Sequence, residues 1–336
     1  DKMNLTPATV SRALNNHPRI SSETKRLVLE TCKELNYRTD RIASSLRTGK
    51  SHTIGVIIPS ARMNFFGSVV HGIETVASKK GYHTLIFQSE ELAEFEVNGI
   101  EAFMGARVDG ILASLAKDST NFLHYTELKK RNVPLVLFDR TIDSLHIPSV
   151  IIDDYKGGFI ATTHLIEQGY KRIAHLDGPQ HFQTFKNRYR GYRDALEAHN
   201  LPFDKSLLFK GDLSIERGKL AAGYFLGLGS IPDAVFAVED FSALGLIKGF
   251  KERKIKIPDE MGVIGFANED FDEHITPTLS SIHQQTVEMG QEAFTLLLDI
   301  IEGRYSKSGP PSKIVLNPIP IFRESTDRYH KRQDNP

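Results

Sequence analysis

The 336-residue sequence is poor in several features, and each shortage excludes a class of function. It has one cysteine, Cys32, which rules out an intrachain disulfide and a thiolate metal cluster. That suits a reducing cytoplasm, where we expect the protein to reside. No stretch approaches the roughly 18 uncharged apolar residues of a spanning helix, so no membrane insertion is expected. The opening Asp1-Lys2-Met3-Asn4 has no apolar core followed by small residues, so no signal peptide is expected. Glycine-rich phosphate loops are missing too. No Gly-x-Gly-x-x-Gly follows a strand pattern, no Walker lysine occurs, and Gly223 to Gly229 falls at a helix end rather than a start. His164, His175 and His181 lack metal-ligand spacing, and Asp153-Asp154 reads as a helix N-cap rather than an acid pair. No catalytic residue, cofactor or metal is expected.

Net charge is also missing, since 42 basic and 42 acidic side chains cancel. The balance hides an asymmetry. Residues 1–50 carry ten Lys/Arg against five Asp/Glu, which leaves 32 against 37 for the remainder. A small basic head on an acidic body fits a polyanion-binding module joined to another domain; a merely solvated surface fits equally well.

What is present falls into two regimes. Up to about residue 48 every signal is helical. Thr6-Pro7 reads as an N-cap with proline at the first helical position. Asn15-Asn16-His17-Pro18 stops that helix, and Ser21-Ser22-Glu23 starts another with Val28, Cys32 and Leu35 inward. From residue 52, short β-branched runs alternate with helical patterns, which predicts a parallel, doubly wound α/β core. Strands are predicted at 54–59, 84–88, 110–113, 134–139, 150–152, 173–176, 234–238 and 263–266, with a last strand pair at 314–316 and 319–322. The intervening helices include 66–80, 158–168, 187–199, 214–228, 243–254 and 286–302. Lys80-Gly81-Tyr82 and Gln168-Gly169-Tyr170 read as matching C-cap glycines that open equivalent strands in two similar halves. No C-terminal heptad is present.

On the first helix, Val10, Ala13 and Leu14 can face inward. Ala8, Ser11, Arg12 and Asn15 then share the opposite face at i, i+3, i+4, i+7. Such a small, polar, basic face can enter a major groove, although periodicity alone favours an ordinary surface helix.

The residues themselves add to this. Leu5 to Asn15, Ile20 to Thr24, Glu34-Leu35-Asn36-Tyr37 and Arg41 to Leu46 resemble the lactose-repressor/galactose-repressor (LacI/GalR) family of bacterial transcription regulators. The resemblance continues through Thr53 to Pro59, Val108 to Ile111, Asn187 to Tyr192, Gly262 to Phe266 and Phe322 to Thr326, essentially the whole chain. It implies a helix-turn-helix head at 1–39 and a hinge helix at 40–50. It also implies a two-lobed core like periplasmic binding proteins, with two doubly wound parallel sheets. The lobes would comprise 51–152 with 284–316, and 153–283 with 317–328. Only Asp1 to Asn4 stands where the family has a further helix, so a shortened head is expected.

By position, the resemblance makes Thr6 to Asn15 the recognition helix, with Pro7, Ala8 and Arg12 where the family reads bases; Thr6, Ser11 and Asn15 are expected to contact DNA beside them. It places the wedge Leu46 in the minor groove with Ala43 beside it in the hinge, and Arg41 nearby is expected to contact DNA. It implies a homodimer on a palindromic operator, with helices 66–80 and 241–254 as dimer surfaces. The effector, a sugar or sugar derivative, is expected between the lobes against Asn64, Phe66, Asp118, Arg188, Glu239 and Asn268. Phe65 could equally be a core residue. Two departures stand out. Glu239-Asp240 replaces the family's usual Asn-Asp, and Ala267 stands where an acid usually follows Gly-Phe. Glu239 is therefore expected to face Arg188 as its acidic counterpart. A partner-gated or activating regulator, a transport receptor and an α/β enzyme are the alternatives.

Overall fold

The computed structural model describes residues 4–14, 16–35, 49–306 and 309–328. Contacts divide the chain into two units, Asp1–Ser51 and His52–Pro336. Asn15 and the hinge positions Arg41, Ala43 and Leu46 lie outside the described residues.

In the first unit, helix α1 spans Pro7–Leu14 and α2 spans Ser22–Glu34. Both start where their caps predict. The Thr9 amide donates to Thr6 Oγ1 at 3.2 Å, and the Thr24 amide donates to Ser21 Oγ at 3.2 Å. Each cap satisfies an amide that has no partner within the helix. The helices pack through Ala13, Val28 and Thr31. Leu35, expected inward, is 54% exposed among the described residues.

The second unit is built on two parallel sheets. The first contains β1 (Thr53–Ile58), β2 (His83–Gln88), β3 (Gly110–Ala113), β4 (Leu135–Phe138), β5 (Ser149–Ile152) and β11 (Lys313–Leu316), in the order β11-β5-β4-β3-β1-β2. The second contains β6 (Ile173–Asp177), β7 (Leu208–Lys210), β8 (Ala234–Ala237) and β9 (Gly262–Ile264), in the order β7-β6-β8-β9. Most central strands are buried along their whole length, as expected for sheets covered by helices on both faces. The expected last strand pair does not form. Instead, β11 joins β5 in parallel, and β12 (Ile319–Ile321) pairs antiparallel with β10 (Ser281–His283). Asn317-Pro318 separates β11 from β12, and the two strands join different sheets.

The helices of this unit are α3 (Asn64–Ala77), α4 (Ala93–Gly105), α5 (Leu123–Lys130), α6 (Asp154–Glu167), α7 (Gln183–Ala198), α8 (Ile215–Leu226), α9 (Asp240–Glu252) and α10 (Thr286–Ile301). Three pairs, α3 with α10, α6 with α7 and α8 with α9, make the most extensive helix contacts. Each pair touches backbone to backbone at two glycines. A Cβ on Gly72 would overlap the Val287 carbonyl, and one on Gly290 the Val69 carbonyl. Gly158 and Gly191 play this part between α6 and α7, and Gly218 and Gly245 between α8 and α9. Gly81 and Gly169 both adopt left-handed φ, at 74° and 82°, and end the preceding helices as the repeated motif predicts.

A candidate effector cleft and a candidate DNA-reading helix

On α1, Thr6, Pro7, Ala8 and Arg12 are exposed, and Ser11 is half-buried, while Ala13 packs against α2. The face predicted to read DNA is thus the one that α2 leaves uncovered.

In the second unit, loops after the strands of both sheets meet around a narrow cavity of about 40 Å³. Open α/β sheets place ligands at the carboxyl ends of their strands. After β1 come Met63, Phe65 and Phe66; after β4, Asp139 and Arg140; beyond β8, Glu239. Thr184, Phe185 and Arg188 reach it from α7. The two sides are latched together. The Asn64 amide donates to Asp270 Oδ1 at 2.8 Å, and the Phe65 backbone N–H donates to Glu269 at 3.4 Å. Lys117 Nζ donates to the Asp212 carbonyl at 3.2 Å.

Arg188 is buried in the wall. Its Nε donates to Asp154 Oδ1 at 2.8 Å, Nη1 to the Val238 carbonyl at 2.6 Å and Nη2 to Gln284 Oε1 at 3.2 Å. Its guanidinium carbon lies 3.6 Å from the Phe266 ring centroid. The planar fork is therefore held rigidly at the cavity edge. The close α6–α7 approach sets this geometry, because a Cβ on Gly158 would meet the backbone of Arg188 itself. Asp153 caps α6 by accepting from the Lys156 amide at 2.9 Å, as expected. Its neighbour Asp154 turns inward to Arg188, a role that the capping pattern did not reveal.

Glu239 lines the cavity but is not the partner of Arg188, contrary to expectation. Its Oε2 accepts from the Phe241 and Ser242 amides at 2.9 and 3.3 Å, capping α9. Its Oε1 is buried without a hydrogen-bond partner among the described residues. Burial, with Asp240 and Glu269 nearby, pushes the Glu239 carboxyl well above its ordinary range.

Phe66 lines the cavity as expected, and Phe65 joins it edge-on with ring centroids 4.9 Å apart. Three expected residues do not line it. Asn64 serves the latch to Asp270. Asp118 lies in an outer recess with Lys117 and Lys210, and its Oδ1 accepts the first amide of α4 at 2.7 Å. Asn268 turns away to accept from Arg323 at 2.8 Å, because Ala267 and Asn268 both take positive φ, at 143° and 58°. Ala267 faces the cavity in its place.

Arg140 was not anticipated. Its fork grips Glu91 at 2.6 and 3.1 Å, and this holds the Glu91 carboxyl below its usual range against burial. The rule that sites sit at strand ends would have found it, since Asp139-Arg140 directly follows β4.

The chain matches the family described as bacterial regulatory proteins, lacI family, over residues 2–40, and a periplasmic binding protein-like domain over residues 162–326. It is 32% identical to the HTH-type transcriptional repressor CytR of Escherichia coli, covering 92% of this chain and 90% of that protein. The chain belongs to the LacI family of bacterial regulatory proteins. It is 33% identical to catabolite control protein A of Priestia megaterium, covering 95% of each chain. A solved complex of the transcriptional regulator CelR with cellobiose superposes with a TM-score of 0.75 at 27% identity, covering 96% of each chain. This LacI-family chain is thus a DNA-binding transcription regulator with a periplasmic-binding-protein-like core.

The buried acids of that core make its stability depend on pH. Burial raises Asp154 to about 7, Glu269 to about 7 and Asp177 to about 6; burial beside Asp240 raises Asp272 to about 10. The folded state then holds protons that the unfolded chain releases above about pH 4, so these groups lower stability as pH rises through their folded values. Burial depresses His164 to about 4 and His175 to about 3, which has the opposite sign but acts only below about pH 6.5. Above pH 6.5 the acids act alone. Urea midpoints should therefore fall between pH 6.5 and 8.5, and Asp272→Asn should flatten the slope. A midpoint that rises over this window contradicts the assignment.

Proposed function

We propose that the chain is a repressor that binds a palindromic duplex operator as a homodimer, and that a carbohydrate-like effector in the cleft sets its operator affinity. We read it as a cytoplasmic binding protein rather than an enzyme. The observation that carries the effector reading is the lining of the cavity, which at about 40 Å³ is smaller than a sugar ring and must widen to admit one. Phe65, Phe66 and Phe185 line it with the fixed Arg188 fork and with Glu239, whose Oε1 has no hydrogen-bond partner among the described residues. The cellobiose complex of CelR supports a sugar-like ligand.

In this reading α1 lies in the major groove, with Thr6, Pro7, Ala8, Ser11, Arg12 and Asn15 toward the bases. Arg41, Ala43 and Leu46 approach the minor groove. The lobes are 51–152 with 284–316, and 153–283 with 317–328. Leu85 and Ile86 on edge strand β2, 40% and 50% exposed, supply an apolar dimer surface beside α3. Of the two expected dimer helices, α9 fits less well, since most of it is buried against α8.

Selection from randomised duplexes tests the DNA half. Palindromic sites should emerge, and each should bind two chains in sedimentation. Leu46→Ala should weaken the selected site by roughly 1–3 kcal/mol, the scale of one unstacked base step, without altering effector affinity. Selected sites without two-fold symmetry, or an unaffected Leu46→Ala variant, would count against this reading.

A further inference from the structure

We propose that the cleft accepts only an uncharged effector, a ring compound bearing hydroxyl groups, and rejects phosphorylated or carboxylated analogues of the same ring. This rests on the effector reading above and narrows the ligand class. It follows from the charges around the cavity.

Among the described residues, two cations line the cavity, Arg140 and Arg188, and each already has its own carboxylate. Arg140 grips Glu91 with both arms of its fork and has a side chain only 6% exposed. Arg188 is bound to Asp154, with both side chains 3% exposed. Asp139, Glu239 and Glu269 add three further acidic groups to the lining. Above about pH 7, where Asp154 has given up its proton, a phosphate or carboxylate placed there meets no uncommitted cation and lies beside carboxyl groups, so it would be buried without charge compensation.

Directional hydrogen bonding remains available. A guanidinium carries five N–H donors, and three of those on Arg188 are engaged by Asp154, Val238 and Gln284. The others can donate to a hydroxyl oxygen. Glu239 Oε1 needs a partner, and a hydroxyl serves it in either protonation state because a hydroxyl both donates and accepts. A phosphate oxygen only accepts, so it serves Glu239 Oε1 only while that carboxyl holds its proton. Phe65, Phe66 and Phe185 supply flat apolar faces for the ring. A neutral sugar and a nucleoside share this chemistry.

The outer recess is the competing location for an anion, since Lys117, Lys210 and Arg217 lie there. Its cations are partly committed as well. Lys117 serves the latch, and Arg217 donates to the Lys210 carbonyl at 3.1 and 2.8 Å.

Calorimetry on the full chain with matched pairs tests the proposal: glucose against glucose 6-phosphate, ribose against ribose 5-phosphate, galactose against galacturonate, and adenosine or cytidine against its monophosphate. The neutral member of any responding pair should bind at least about tenfold more tightly. Sugar and nucleoside arms identify the ring. A phosphorylated or carboxylated member that binds more tightly overturns the proposal and leaves the effector reading standing. Silence in every pair overturns the effector reading, and this proposal with it. Glu91→Gln then checks the cause. Freeing the fork of Arg140 should shift the neutral-to-anion preference toward the anion by about tenfold or more. A folded Glu91→Gln protein with unchanged preference overturns charge compensation as the origin of the selectivity.

Discussion

Arg188→Ala should destabilise the core by about 3–5 kcal/mol and abolish the effector response. The stability loss arises because Asp154 is left buried without its counter-charge, and removing one partner of a buried pair costs this much. Asp154 would then take up a proton more readily, so the loss should be smaller at pH 5 than at pH 8. Against a total stability of about 5–15 kcal/mol, the variant should remain folded at 20 °C. Operator binding without effector should survive, because α1 belongs to a separate unit. Removing Asp154 as well should recover part of the loss, the coupling that contacting residues show. Denaturant unfolding and operator titrations read both effects. A loss below about 1 kcal/mol, or a response at wild-type effector concentration, would contradict the role given to this pair.

Gly158→Ala should have a comparably large effect through a single methyl group. The new Cβ would overlap the Arg188 carbonyl, and backbone cannot move aside as a flexible side chain can. Overpacking of this kind typically costs about 1–3 kcal/mol, and more where the obstacle is rigid. The functional consequence follows from position. Displacing α7 carries the guanidinium away from Asp154 and Gln284, so effector affinity should fall along with stability. Gly67→Ala on the exposed face of α3, where a Cβ meets nothing within 4 Å, is the matched control and should be neutral or slightly stabilising. Equal unfolding midpoints for Gly158→Ala and the wild type would show that the α6–α7 contact is not as close as described.

Much of the architecture was legible in the residues, because local signals and burial agree there. The runs that became β3, β4, β6 and β8 are short and mostly apolar, and their regular alternation with helical patterns marks them as covered parallel strands. Thr6, Ser21, Asp153, Gly81 and Gly169 marked helix ends correctly, since capping acts within one turn. Helix starts were read too late: residue 158 instead of 154, 187 instead of 183, 243 instead of 240. The first turn of each sets one aromatic, Tyr155, Phe185 or Phe241, among polar or capping residues, too little to register as helical periodicity. Strands β7 and β10 have three residues each and each ends on a polar residue, Lys210 or His283, so neither shows the apolar run that marks the equally short β9. Of the residues expected at the cleft, Arg188, Glu239 and Phe66 line the cavity. Asp154, Arg140 and Gln284 were missed because a charged residue at a helix start or strand end looks solvated until its tertiary neighbours are known. The glycine pairs between helices are equally invisible in one dimension.

Occupancy of the cleft should set operator affinity. The most direct measurement is a fluorescence titration of a selected palindromic duplex with the full chain, at fixed salt, with and without a saturating neutral ligand identified by calorimetry. The operator Kd should change by about 5–150-fold, and the ligand's Kd should change by the same factor on operator-bound protein, as reciprocity of linked binding requires. A ligand that occupies the cleft and leaves the operator Kd unchanged at saturation would contradict the claim.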